Sequence, residues 1–314
     1  MPEWWIERGI GESRFLLVES GEIVEARVLL DDVVPLGTVL RAALKEAARP
    51  AIATVGDMEF LLPNGAPGFA EGQALTIEVT RESIPGAEPW KRPLAKVSEG
   101  EPRSAKLPRG EDLVFPSPID RLESLGWPDL IEEARTGIVQ FDGGELRVFV
   151  TPAMTLIDVD GFLPAPDLAR AGARAAVRTI LRHGIGGSIG IDLPTIDGKA
   201  ARKSIADEID ALLPKPFERT AMNGFGFVQI VRPRPHASLL ELAQDRAAFE
   251  ARALMRRASF EPPGTKTLVA HPAVIEVLKA HAGWLDSLSR QLGGGVGLRA
   301  EPSLPMSGAY ATSS

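Results

Sequence analysis

The segment Thr155–Asp192 constrains this chain more than any other part of it. It reads TLIDVDG, then a helical stretch, then SIGIDLP. Two apolar runs joined by one helix-length connection form a parallel strand pair with a right-handed crossover, since a tight turn cannot join parallel strands. The helix is expected over Asp167–His183, with Asp167 as N-cap, alanine and leucine filling the turns and Gly184 just past the end. Asp158 and Asp192 each follow an apolar run at the carboxyl end of a strand, and open α/β sheets bind ligands at that edge. On adjacent strands their carboxylates lie about 5 Å apart and repel unless a proton or a cation sits between them. Mg²⁺ meets that demand with oxygen ligands, keeps waters for chemistry and commonly partners a phosphate. Asp160 is a third nearby carboxylate, and Asp197 a fourth that Pro194-Thr195 can carry away. The competing reading makes Asp158 and Asp192 ordinary strand-end turn residues.

The crossover helix carries Arg170, Arg174, Arg178 and Arg182. Steps of four keep neighbours on one face, so the stripe either follows phosphates toward the acidic pair or is a solvated helix face. Arg232 and Arg234, at the exit of the strand expected over Gly226–Val231, repeat that signal more weakly. No G-x-x-x-x-G-K-[ST] loop occurs, and Gly184-Ile185-Gly186-Gly187 reads as a helix C-cap with a tight strand entry. Trp4-Trp5 reads as packing or a surface anchor.

Around this unit the chain divides by composition. Arg14–Leu30 holds two β-rich runs about Glu19-Ser20-Gly21-Glu22, the signature of a hairpin. Gly37–Val79 holds short strands with close turn signals, which points to a small barrel. From Arg81 to Arg109 there are seven Lys/Arg against four Glu, as in a basic, partly extended connector. Leu122–Arg135 reads as a short helix, Lys199–Leu213 as a second helix stopped by Pro214, Ser238–Ser259 as a long charged one, and the tail as strand, helix, strand over Lys266–Ala270, Pro272–Leu292 and Val296–Ala300. The expected segments are 1–36, a hairpin; 37–100, the barrel; 101–137, a connector; 138–237, an α/β domain carrying the acidic pair; and 238–314, a long helix with a small α/β domain.

Composition removes several chemistries. Among 314 residues there is no cysteine, which excludes disulfides, thiolate nucleophiles and every zinc site built on Cys, and fits a reducing, cytoplasmic setting. The four histidines, His183, His236, His271 and His281, lie in unrelated neighbourhoods. A net charge of −7 argues against a generic basic nucleic-acid coat but leaves room for a local basic track. No run has the length of a membrane span, so no membrane partner is expected, and the start MPEWWIERGIGES shows no secretory pattern. The sequence leaves the oligomeric state open, with a homo-oligomer compatible.

An ordered series of segments resembles the ribonuclease E/G family of bacterial endoribonucleases. The series is ESRFLLVESGEIVEARV, ATVGDMEFLLP, EGQALTIEVTRE, DGGELRVFVTPAMTLIDVDG, GIGGSIGIDLP, the Lys199 helix, GFGFVQIVRPRP, TLVAHPAVIEVL and GLRAEPSL. It covers residues 12–97 and 138–304. The resemblance implies an α+β multi-domain chain. An OB-type RNA-binding barrel would be inserted near the start of an RNase H-like and DNase I-like α/β catalytic region, with a small C-terminal α/β domain after it. It implies that Asp158 and Asp192, with Asp160 beside them, hold a Mg²⁺ that activates water against the phosphodiester of single-stranded RNA. Barrel contacts to RNA would fall near Phe60, Ile52 and Lys91, and Arg178, Arg182, Arg232 or Arg234 would steady phosphates. This chain departs from the family pattern in four ways. The Cys-containing zinc link is absent, so no zinc is expected. Pro102–Arg135 offers about 35 residues, too few for the family's domain that senses an RNA 5′-monophosphate. Asp160 stands where the family has Asn, and Gly224 where it has Arg. The expected activity is a Mg²⁺-dependent endoribonuclease without 5′-end sensing. The alternatives are a non-catalytic RNA-binding protein derived from such an enzyme, and a phosphoesterase acting on a small or DNA substrate.

Overall fold

The computed structural model describes residues 1–86 and 91–313. The chain is mixed α/β, with three open sheets and one closed barrel. Strands β1 (Glu3–Arg8), β2 (Glu12–Glu19) and β3 (Glu22–Leu30) form an antiparallel meander with its tight turn at Ser20-Gly21. The Trp4-Trp5 pair therefore sits inside a strand, with Arg121 stacked over the Trp5 ring. Five strands then close a barrel, in the order β4 (Val39–Glu46), β5 (Ala51–Val55), β6 (Met58–Leu62), β8 (Leu94–Val97) and β7 (Ala74–Arg81). Its size and closure are compatible with an OB-type barrel.

The stretch expected to be a connector is built into the body. Strand β9 (Glu111–Leu113) adds to β1 in parallel, and helix α1 (Trp127–Thr136) follows. Leu122, Trp127, Leu130 and Ala134 are buried in one core with Leu16, Ile23 and Val28 of the meander and Leu239, Leu242 and Phe249 from later helices. A solvated linker carries no such apolar stripe, and the spacing of these residues on α1 is what buries it.

The six-stranded sheet that follows runs β10 (Ile138–Phe141), β11 (Gly144–Val150), β12 (Thr155–Gly161), β13 (Gly187–Asp192), β15 (Phe227–Arg232) and β14 (Glu218–Arg219). Strands β12 and β13 are parallel and joined through α2 (Ala165–Arg182), as the segment pattern requires; all other pairings in this sheet are antiparallel. Helix α2 begins two residues before the expected start. Pro164 is its N-cap without a side-chain cap bond, and Asp167 instead lies in the first turn, where its charge still suits the helix dipole. Helix α3 (Lys199–Leu212) follows β13. One face of the sheet is apolar: Leu146, Val148, Ile157, Val159, Ile189, Ile191, Val228 and Ile230 are buried against α2 and α3. Gly172 lets α2 approach β12 closely, since a Cβ there would lie 2.3 Å from Val159.

Two expected long helices are each broken. Ser238–Ser259 is α4 (Leu239–Leu242), closed by a Ser238/Glu241 capping box, followed by α5 (Arg246–Ser259) with Asp245 as N-cap. Both caps are polar side chains that bond backbone N–H groups more favourably than they fit a helix interior. Pro272–Leu292 divides at His281 into α6 (Pro272–Ala280) and α7 (Ala282–Leu292). Strands β17 (Val296–Ala300), β16 (Lys266–Ala270) and β18 (Tyr310–Ser313) form the last sheet, packed on α5, α6 and α7.

Candidate active site

Each carboxylate of interest comes from strand alternation. In TLIDVDG, Thr155, Ile157 and Val159 are buried and point toward α2, so Leu156, Asp158 and Asp160 face the other way. In GSIGID, Ile189 and Ile191 are buried, which leaves Gly190 and Asp192 on that same open face. Register then aligns a row across four strands, with Arg147 beside Asp158, Asp158 beside Asp192, and Asp192 beside Phe227. Adjacent strands are about 4.8 Å apart, so Asp158 and Asp192 stand next to each other at the carboxyl edge of β12 and β13. Glu145 and Asp160 pair in the next row.

The electrostatics follow from that row. Burial, then the charges of Asp160 and Asp192, hold the Asp158 carboxyl above the usual range; the Val159 backbone N–H and Arg147 oppose the shift. Two like charges near Asp158, with the Arg147 guanidinium beside it, make a place whose charge a cation would offset. Arg147 is itself held by Glu145, with Nε donating to Oε1 at 2.9 Å. Among the described residues, no group of three Asp, Glu, His or Cys side chains converges closely enough to hold a metal. The geometry therefore offers two side-by-side carboxylates, with Asp160 adding charge from the neighbouring row. Two carboxylates suit the way Mg²⁺ is usually held, with waters and a substrate phosphate completing its shell.

Phe227 closes one side of this floor. Gly190 leaves room for its ring, since a Cβ there would lie 2.6 Å from it and 3.1 Å from the Met154 sulfur. The chain reverses just before Phe227 through Gly226, at φ 96° and pressed on the Leu193 carbonyl, a conformation and approach that only glycine fits.

The arginines proposed as phosphate contacts do not join this site. Helix α2 runs back along the sheet, so its last turn lies at the amino end of the strands, the edge opposite Asp158 and Asp192. There Arg182 pairs with Glu133, which also bonds His183 Nε2 at 2.8 Å. Arg178 lines a groove with Glu19, Glu22 and Glu25. Arg232 is the register partner of Gly187, five residues along β15 from Phe227, and its Nη1 donates to the Ile185 carbonyl at 3.3 Å. Arg234 pairs with Glu241.

In the barrel, Phe60 is 0% exposed and belongs to the interior with Leu44, Leu62 and Ile77. It is a core residue, so its ring offers no face to RNA, contrary to the expected contact. Ile52 is half-buried on the outer side, and Lys91 is half-buried next to residues 87–90, with its carbonyl accepting from Ile84 N.

Three residues at the site escaped the sequence reading. Arg147 was legible once the alternation in GELRVFV was carried across to β12. Phe162 and Phe225 were visible only as aromatics at strand ends. They are 85% and 83% exposed at the same edge as the carboxylates. Among the described residues no helix is long and apolar enough to cross a membrane. No protein-family model matches the chain, and no curated protein matches it.

Proposed function

We propose that the chain is a Mg²⁺-dependent endoribonuclease acting on single-stranded RNA, with Asp158 and Asp192 as its metal ligands and the layout of the ribonuclease E/G family. The observation that supports this reading is the register pairing of Asp158 with Asp192 on parallel strands, at the sheet edge where such folds bind ligands. A bound Mg²⁺ supplies a Lewis acid for the phosphate and lowers the pKa of a coordinated water. Asp158 and Asp192 would hold the cation, whose charge would offset the repulsion between their carboxylates. Asp160 adds negative charge from the next row and offers an acceptor for a water proton. Arg147, on the other side of Asp158, can turn from Glu145 toward a phosphate oxygen. The barrel is the proposed second contact for the RNA strand, through its outer surface near Ile52 and Lys91.

The test is cleavage of a fluorogenic single-stranded oligoribonucleotide with magnesium. Asp192→Asn is expected to lower kcat by about 100-fold or more, the loss of a few kcal/mol of transition-state stabilisation, and EDTA to abolish cleavage. Undiminished cutting by the Asn variant would overturn the assignment.

The distance of Arg178, Arg182, Arg232 and Arg234 from the carboxylates takes the expected phosphate contacts out of the hydrolytic site, and it weighs on the side of a second reading, an RNA-binding protein without hydrolytic activity. That reading predicts RNA binding that weakens with salt and no cleavage with any divalent metal.

A further inference from the structure

We propose that Phe162 and Phe225 are base-stacking platforms that hold unpaired nucleotides at the sheet edge carrying the carboxylate pair. This rests on the reading of that pair as a phosphodiester site and names what places the strand there. Single exposed apolar side chains are ordinary on protein surfaces. Here two phenylalanines, 85% and 83% exposed, occupy the same sheet edge at which the acidic row ends. Neither ring stacks on another aromatic among the described residues.

Both sit on fixed backbone. Phe162 directly follows β12, and its N–H donates to the Gly143 carbonyl at 3.2 Å, which ties it to the turn between β10 and β11. Phe225 lies in a turn organised by Asn223, whose Oδ1 accepts from the N–H groups of Phe225 at 2.9 Å and Phe227 at 3.0 Å. The Phe225 carbonyl accepts from Thr195 Oγ1 at 3.2 Å, three residues past Asp192. A rigid backbone presenting a large apolar ring to water has little entropy left to lose when a flat partner covers it.

The spacing fits a polynucleotide. Phe162 extends β12 and Phe225 leads into β15, with β13 between them, so two strand spacings, about 10 Å, separate them across the sheet, and Phe162 lies further out along its strand, four residues past Asp158. A short single-stranded segment of a few nucleotides crosses that span, with bases on the two rings and a backbone phosphate near Asp158 and Asp192. Stacking needs a free base face and tolerates any base, so the substrate class is single-stranded and of broad sequence. A duplex, whose bases already stack on each other, offers no such face.

The experiment is fluorescence anisotropy with a labelled oligoribonucleotide, a matched oligomer with abasic sites at its centre, and a duplex, with calcium in place of magnesium to suppress cleavage. Phe162→Ala and Phe225→Ala are each expected to weaken binding of the base-bearing oligomer by about 5- to 150-fold. They should leave the abasic oligomer unchanged and the melting temperature unaltered, since neither ring is packed. Phe162→Trp and Phe225→Trp should retain or improve affinity. Ala variants that bind the base-bearing oligomer as the parent does, or that lose both oligomers equally, overturn the stacking role. Ala variants that change the sedimentation coefficient while RNA affinity stays constant assign the rings to a protein contact and overturn it as well. Base-dependent binding without hydrolysis in magnesium supports the platforms while defeating the nuclease reading. Hydrolysis with Phe-independent affinity does the reverse, and no binding of any oligomer defeats both.

Discussion

Asp158 is the residue at which the site's electrostatics are most exposed to measurement. Its carboxyl sits above the usual range because of partial burial and the charges of Asp160 and Asp192. A carboxyl whose folded pKa is raised binds more protons in the native than in the unfolded state between the two pKa values. Stability therefore falls as pH rises through that window and stays lower above it. Asp158→Asn removes the unfavourable charge, so the variant is expected to melt above the parent at pH 7 and to converge with it as pH falls below the ordinary carboxylate range. Added magnesium should raise the melting temperature of the parent and not of the variant; differential scanning calorimetry across pH, with and without magnesium, checks both. At this scale the sequence showed the two aspartates, because strand alternation is a local property. It did not show that Phe60 points inward or that the arginines of α2 gather at the far edge, because a side chain's surroundings are set by elements distant in the chain.

Helix α2 and strand β12 depend on one close approach. Gly172 lies in the interior of α2, where alanine would normally add about 1 kcal/mol of helix stability. Here the added methyl would meet the Val159 Cγ1 at 2.3 Å, and a β-branched side chain in a strand has few rotamers to retreat into. Gly172→Ala is therefore expected to destabilise the chain by about 1–3 kcal/mol in urea unfolding. It should also lower cleavage by displacing β12, which carries Asp158 and Asp160. The strands of this unit, the meander turn and the barrel were readable from periodicity and turn residues. The breaks at Ala243-Gln244-Asp245 and at His281 were not, since the apolar pattern continues across each and the caps there act only once the flanking helices are packed.

Across the whole molecule, buried charge joins segments that are far apart in sequence. Arg256 of α5 forks onto Glu7 of β1, with Nε to Oε1 at 2.8 Å and Nη2 to Oε2 at 3.0 Å, and onto Asp120, with Nη1 to Oδ2 at 2.8 Å and Nη2 to Oδ1 at 2.7 Å. Arg14, fully buried on β2, donates to the same Glu7 oxygen at 2.6 Å. Removing one member strands its partners' charges away from water. Arg256→Ala is expected to cost about 3–5 kcal/mol of unfolding free energy, read by denaturant titration. Replacing the exposed Lys203, paired with Asp207 on its own helix, should cost less than about 0.5 kcal/mol.

The sequence alone determined the local pieces: alternating strands ending in Asp158 and Asp192, the crossover between them, a barrel punctuated by glycine and proline turns, and the absence of any cysteine-based chemistry. These depend on period, turn stereochemistry and composition, which a short window contains. Only the tertiary structure decided which residues meet. It set Arg147 and Phe227 beside the carboxylates, turned Phe60 into the barrel core, carried Arg178, Arg182 and Arg232 to the other edge, and folded the expected connector into the meander's core. Burial and register are properties of pairs of segments, and the free energy that selects among pairings is gained only when distant apolar faces close on one another.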